Sequence, residues 1–286
     1  MRIAVYDEYR IGLVEADGIR DVSELVPAPP YAPQTRINEF VARFEELRPE
    51  LERRRVNGHA VALESVRLRA PVPAPANFLA APLNYAAHGD EVRGVLTNDL
   101  GTARELGFFV KAGGSISGPQ DPLELPPLDG RRFDHEAEVA IVIGREARAV
   151  PRERALDHVF GYTLLIDATM RMTETQREER PMRKSFHSFA PTGPWVVTAD
   201  EIGDPSGLEI RLWVNGELRQ HGQLRDLIVD VPGLVAHASS VLTLQPGDLY
   251  ATGTPAGIGP IAEGDEIVIE CEPIGRMEIP VTRRAW

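Results

Sequence analysis

The chain has 286 residues, enough for one or two domains with a substantial hydrophobic core. Its 43% hydrophobic and 26% charged residues exclude wholesale disorder, and a net charge of −12 argues against a surface built to grip nucleic-acid phosphates. Cys271 is the only cysteine, which excludes disulfide scaffolds and thiolate zinc sites and suits a reducing compartment. No apolar run approaches the roughly 18 residues of a membrane span, and MRIAVYDEYRIG lacks a signal-peptide core. A soluble cytoplasmic protein without membrane or nucleic-acid partners is expected.

The 25 glycines and 24 prolines point to many tight turns, as in a strand-rich fold. Ile3, Val5, Ile11, Leu13 and Ile19 lie in short runs separated by turn residues such as Asp17-Gly18, which predicts two or three short strands. Ile37, Phe40, Val41, Phe44 and Leu47 recur at three and four, predicting a helix that Pro49 ends. Val61 to Leu68 alternates as a strand. The prolines from Ala70 to Pro75 then read as a stiff extended spacer. The domain boundary is expected there, with a small α+β module over residues 1–70 and a larger domain over 71–286. Glu138 to Ile143 and Tyr162 to Ile166 follow as apolar strands. Leu208, Ile210, Leu212 and Val214 alternate into Asn215-Gly216, a strong hairpin signal. Pro232 opens a helix with Leu234, Val235, Ala238, Val241 and Leu242 on one face. Gly264 to Glu272 and Met277 to Val281 supply closing strands.

Several signatures are missing. Gly113-Gly114-Ser115 is not followed by a P-loop Gly-Lys-Ser/Thr, His135-Glu136 has no second histidine at zincin spacing, and no G-x-S-x-G occurs. The informative segment is FDHEAEVAIVIG. Glu136 and Glu138 are two apart on a predicted strand and so share a face with Ala140 and Val142, opposite Ala137, Val139, Ile141 and Ile143. Like charges that close repel unless a cation lies between them or one takes a proton. The segment alone reads first as a wet strand end with two solvated glutamates. Asp167 adds a third carboxylate at the end of the apolar strand Tyr162 to Ile166. Three converging carboxylates without cysteine describe a hard-cation site for Mg²⁺, Mn²⁺ or Ca²⁺. Asp167 can equally cap the chain that follows it.

Seven segments in order, NYAAHGDE, FFVKAGGSISGP, FDHEAEVAIVIG, GYTLLIDATMR, KSFHSFAPTGPW, VNGELRQ and PGDLYATGTPAGIG, resemble the fumarylacetoacetate hydrolase family over residues 71 to 286. The resemblance implies a mixed β-sandwich or roll, a homodimer, and a divalent metal held by Glu136, Glu138 and Asp167. It also implies chemistry on small 2-oxo or 1,3-dicarbonyl acids. Cleaving a C–C bond between two carbonyls leaves an enolate, for which a metal chelated by a 2-oxo acid is a Lewis acid. Lys184, alone, reads as a surface lysine beside Arg183; the resemblance implies a fixed cation at the developing oxyanion. Arg171, four residues after Asp167, is implied to hold a ligand carboxylate, the alternative being a pair with Glu174 or Glu178.

His88 and Glu91 are three apart, on one face if the segment from Asn84 to Val95 is helical. By themselves they read as a solvated pair. The resemblance places them on a mobile lid, His88 taking a proton from water and Glu91 orienting the ring; Gly89 and Gly94 would weaken that helix. Thr254 lies in a glycine-rich turn whose N–H groups suit a carboxylate, or in a plain turn between strands. Gln220 resembles the family's glutamine at a substrate contact.

Departures from the family pattern surround the expected pocket: Ile166 before Asp167, Met172 after Arg171, and the charged stretch Thr173 to Met182. The expectation is therefore a β-rich α+β enzyme, a metal-dependent hydrolase of an acylpyruvate-type C–C bond. The alternatives are a 2-oxo-acid decarboxylase or tautomerase on the same metal site, and a non-catalytic binding module.

Overall fold

A computed structural model of the chain describes residues 1–93 and 101–285. The strand Ala137–Ile143 is buried along its whole length. It pairs antiparallel with Val159–Ile166 on one side and with Leu249–Ala251 on the other. These strands lie inside an 11-stranded sheet that also contains Ala190–Thr198, Phe78–Ala80 and the N-terminal strands Arg2–Tyr6, Arg10–Glu15 and Gly18–Asp21. Arg2–Tyr6 joins the sheet by pairing antiparallel with Ala190–Thr198, Arg2 opposite Val197.

The alternation read from FDHEAEVAIVIG sorts residues into two cores. Ala137, Val139, Ile141 and Ile143 pack with Leu212, Ile267, Ile269 and Ile279. Those partners belong to a five-stranded sheet of Glu217–Gln223, Glu209–Val214, Glu266–Cys271, Gly275–Arg283 and Leu123–Leu125. Two sheets thus face each other, with parallel and antiparallel pairings in both, which is the expected mixed sandwich with helices. On the opposite face, Ala140 and Val142 pack with Phe40, Val41, Phe44 and Leu51. A central strand covered on both faces reads as a continuous apolar run.

The turns follow their residues. Asn215 and Gly216 both have positive φ, +51° and +79°, as a two-residue hairpin between Glu209–Val214 and Glu217–Gln223 requires. Val231–Val241 is a helix capped by Asp230, which accepts from the Gly233 N–H, with Pro232 in its first turn.

Three local expectations differ from the structure. The helix predicted from residue 37 breaks at Arg43, between Arg36–Ala42 and Phe44–Asn57, and Pro49 lies inside the second helix rather than ending it. Proline loses one N–H bond there. Burial of Phe44, Leu47 and Leu51 offsets that loss, with Phe44 edge-on to Phe160 at 4.9 Å. Val61 to Leu68 is not one strand. Ala60–Val61 pairs as a short strand and Leu68 makes an isolated antiparallel bridge with Tyr6, while a 3₁₀ turn at Leu63–Ser65 carries Leu63, Val66 and Leu68 onto a small cluster with Tyr6 and Ile19.

The proline segment is also packed rather than suspended. Val72 is buried with Phe40 and Phe78, and the Asn38 amide donates to the Ala74 carbonyl at 3.0 Å. No described helix is long and apolar enough to cross a membrane.

Phe44 tests how firmly the N-terminal helices are tied to the sheet. Phe44→Ala should cost about 3–5 kcal/mol in denaturant unfolding, within one cooperative transition. A separate early transition for the N-terminal residues would show instead that they unfold alone.

Candidate metal centre and active site

Two central strands leave the large sheet at the same level. After Glu136 the chain joins Ala137–Ile143; before it runs the short strand Phe133–His135. After Ile166, Asp167 and Ala168 lead into Thr169–Met170, which pairs with Phe133–His135 in a three-stranded sheet with Gly259–Pro260. The Asp167 N–H donates to the Glu136 carbonyl at 2.8 Å and locks the crossing. Glu136 and Asp167 therefore project from a junction between sheets, and Glu138 lies one pleat further in. Ligand oxygens of Glu136, Glu138 and Asp167 all fall within 4.8 Å of one another. All three residues are buried, Glu138 to 2% exposure.

Cations crowd this cluster. The Lys184 ammonium donates to Glu136 Oε2 at 2.7 Å, Asp167 Oδ2 at 2.6 Å and Thr169 Oγ1 at 2.7 Å. Lys111, fully buried, donates to Asp167 Oδ1 at 2.6 Å and to the carbonyls of Lys184 and Phe189. Arg171 spans Asp134 Oδ2 and Glu136 Oε1, each at 2.7 Å. Lys184 is thus no surface lysine, and Arg171 takes Asp134 and Glu136 rather than Glu174 or Glu178. Glu178 pairs with Arg131.

The electrostatics split the two glutamates. Burial works to raise Glu136, but Lys184 and Arg171 outweigh it and hold this carboxyl well below its ordinary range. Glu138 is pushed well above its ordinary value by burial first, then by the charges of Asp167 and Glu136. Among the described residues, its one hydrogen-bond donor is the Gly253 N–H, at 2.7 Å. A buried carboxylate with so little compensation is the place where an added cation gains most. The donor set is all oxygen, which fits a hard divalent ion.

His88 and Glu91 occur on the helix Ala86–Arg93, with His88 Nδ1 3.3 Å from Glu91 Oε2. Gly94 and Val95 lie outside the described residues. Glu91 also accepts from the Gly257 N–H at 3.2 Å. Its burial is outweighed by bonding to His88 and by the Gly257 and Ile258 N–H groups, so its carboxyl is held below the ordinary value. Glu91 is bonded through Gly257 to the same turn that holds Glu138 through Gly253, which puts the dyad beside the cluster.

The turn around Thr254 ties these parts together. Gly253 N–H holds Glu138 and Gly257 N–H holds Glu91, so its carboxylate ligands are the protein's own. Both glycines have positive φ, near +100°, and a Cβ at Gly257 would strike the Arg219 carbonyl oxygen. Gln220 clamps the turn from behind. Its oxygen accepts from the Ala137 N–H and from His135 Nδ1, both at 2.9 Å. Its amide donates to Thr254 Oγ1 at 2.7 Å and to the Pro255 carbonyl at 2.8 Å. Every polar capacity of this buried amide is taken by protein, so Gln220 braces the turn.

Sequence reasoning missed Lys111, Asp134 and His135. Two of them left a signal: Lys111 as a lone cation closing the apolar run Phe108-Phe109-Val110, and Asp134 as an aspartate two residues before Glu136 in the same alternation. His135 is kept neutral by burial, and its Nδ1 is the donor because Gln220 Oε1 already accepts from a backbone N–H. Gln220→Ala should strand the Ala137 N–H and the Pro255 carbonyl. About 1–3 kcal/mol per buried unsatisfied group should appear in denaturant unfolding, whereas a ligand contact alone would leave stability unchanged.

Known proteins share this architecture. The model for the fumarylacetoacetate (FAA) hydrolase C-terminal family matches residues 77–282. Maleylpyruvate hydrolase of Aquipseudomonas alcaligenes is 41% identical over 98% of this chain and 99% of its own. A mitochondrial oxaloacetate tautomerase of Xenopus laevis is 33% identical over 95% of this chain and 86% of its own. The crystal structure of maleylpyruvate hydrolase from Sphingobium sp. SYK-6, in complex with manganese(II) and pyruvate, superposes with a TM-score of 0.88. It is 42% identical, with all of both chains covered. Carrying the family's matched domain over most of its length and close relatives end to end, the chain belongs to the fumarylacetoacetate hydrolase family.

Proposed function

We propose that this protein is a divalent-metal-dependent hydrolase that breaks the C–C bond of a small acidic acylpyruvate, with maleylpyruvate as the model substrate. The observation that carries this reading is the convergence of Glu136, Glu138 and Asp167, buried within 4.8 Å, beside a histidine–glutamate pair. End-to-end similarity to two maleylpyruvate hydrolases supports the substrate class. Mg²⁺ or Mn²⁺ is the ion we assign to the three carboxylates, and a homodimer is the assembly the family resemblance favours. The boundary of the N-terminal module is placed near residue 70, just before the family match begins. The single thiol is buried, in keeping with a cytoplasmic protein.

In the reaction, water adds to the acyl carbonyl, the bond to the methylene carbon breaks, and a carboxylate and pyruvate leave. A bound divalent ion would supply Lewis-acid stabilisation of the enolate that forms. His88 directs Nδ1 at Glu91, leaving Nε2 to take the proton from water. Glu91, kept ionised by the Gly257 N–H, stabilises the imidazolium as it forms. Lys184 Nζ lies beside Glu136 and Asp167, where the substrate's oxygens gain negative charge. Tautomerisation would run on the same carboxylates without water attack, so the dyad separates the two readings.

Glu138→Ala should abolish Mn²⁺ binding in calorimetric titration and hydrolysis together, and unchanged metal affinity would refute the ligand assignment. Removing metal with EDTA should stop turnover yet leave the far-UV spectrum intact, because the cores lie in the sheets and not at the site.

His88→Ala should lose about 10²–10⁴ in kcat for acylpyruvate hydrolysis while still binding Mn²⁺. Glu91→Gln should lose less, since it keeps the shape and gives up only the charge. Full oxaloacetate tautomerisation by a His88→Ala protein that no longer hydrolyses acylpyruvates would mark water activation as the role of His88. Undiminished hydrolysis by that variant would remove the dyad from the mechanism.

A further inference from the structure

Five cationic side chains crowd the carboxylate cluster, and four are committed. Lys184 binds Glu136 and Asp167, Lys111 binds Asp167, Arg171 binds Asp134 and Glu136, and Arg183 donates to the carbonyls of Glu178 and Met170. Arg180 is the fifth. Among the described residues its side chain has no hydrogen-bond or ion-pair partner; the guanidinium lies over the Phe109 ring at 5.3 Å. The same ring lies 5.5 Å from the Lys184 ammonium, and the Lys184 N–H donates to the Arg180 carbonyl at 3.2 Å. Arg180 is thus one helical turn from the lysine that grips the metal-site carboxylates, with a shared aromatic wall.

The environment of Arg180 is that of a binding group lacking its ligand. Burial lowers its pKa first, while the charges of Glu136 and Asp167 favour the cation from a distance. A partly desolvated guanidinium without a hydrogen-bonded anion is unfavourable until one arrives. Nearby Arg183 adds positive charge, and exposed Val110 and Met182 offer an apolar margin for a short carbon chain. Arg180 also falls within Thr173 to Met182, the stretch where the sequence departs from the family pattern.

We propose that Arg180 binds the terminal carboxylate of a dicarboxylic acylpyruvate and sets the preference of the site for substrates with a second negative charge. The proposal rests on the acylpyruvate-hydrolase reading above, in which the 2-oxo acid end lies at Glu136, Glu138 and Asp167. The far end of a dianionic substrate then extends along Phe109 toward the guanidinium, whose planar fork suits a carboxylate.

The test compares maleylpyruvate, which ends in a carboxylate, with acetylpyruvate, which ends in a methyl group. Arg180→Met should lose about 10- to 100-fold in kcat/KM on maleylpyruvate, the worth of a charge-assisted hydrogen-bonded pair, mostly through KM. On acetylpyruvate its loss should be under about threefold, within the spread of an indirect effect. Arg180→Lys should retain part of the maleylpyruvate preference, and Arg177→Met, an exposed arginine of the same stretch, should change neither substrate. Equal losses on both substrates, or none on maleylpyruvate, would overturn the assignment. If the unaltered enzyme hydrolyses neither compound, the functional reading fails by itself. Calorimetric titration of the Mn²⁺-loaded protein with maleylpyruvate and pyruvate then decides for Arg180. Selective loss of maleylpyruvate affinity in Arg180→Met supports it, and equal affinity refutes it.

Discussion

Burying three carboxylates at one point is the constraint around which this molecule is arranged. Glu136, Glu138 and Asp167 would repel one another strongly in an apolar interior. The fold answers with Lys184 and Lys111 on Asp167 and with Lys184 and Arg171 on Glu136, leaving Glu138 to a single backbone N–H. That asymmetry explains why the two glutamates are driven in opposite directions although they share a strand face. Glu138 is the least compensated of the three as an anion, and a hard cation is the ligand that would favour its ionised form.

The backbone makes the arrangement rigid. Ala137–Ile143 and Val159–Ile166 are clamped between two apolar cores, so neither strand can slip without turning its apolar residues toward the wrong layer. Both strands then pass into the three-stranded sheet at the same level, with Asp167 bonded to the Glu136 carbonyl across the junction. A metal site on such elements is held more tightly than one built on loops. The N-terminal helices contribute from a distance, because Phe40 and Phe44 seal the back of the strand that carries Glu138.

The glycine turn joins this rigid centre to the His88–Glu91 pair. Gly253 and Gly257 offer N–H groups to Glu138 and Glu91 in a conformation that side-chained residues rarely adopt. Gln220 fixes that turn to the strand entering the site, through Ala137 on one side and Thr254 and Pro255 on the other. The His88–Glu91 pair and the carboxylates therefore share one hydrogen-bonded frame.

The sequence by itself determined the periodic features. Alternation in FDHEAEVAIVIG assigned each residue from Ala137 to Ile143 to its correct face, Asn215-Gly216 marked its hairpin, and the three-residue spacing of His88 and Glu91 matched one helical face. These are local consequences of a repeat of 2 or 3.6 residues. Pro49 and the stretch from Val61 to Leu68 defeated local reading because packing of Phe44, Leu47 and Leu68 outweighed backbone preference. Only the tertiary structure decided what each charged side chain meets. Lys184 looked like half of a basic surface pair, Arg171 had nearer acids in Glu174 and Glu178, and Lys111 drew no attention, yet all three converge on the carboxylates. Their partners lie 17 to 56 positions away along the chain. Such pairings follow from which strands cross at the sheet junction, and side-chain periodicity carries no information about that.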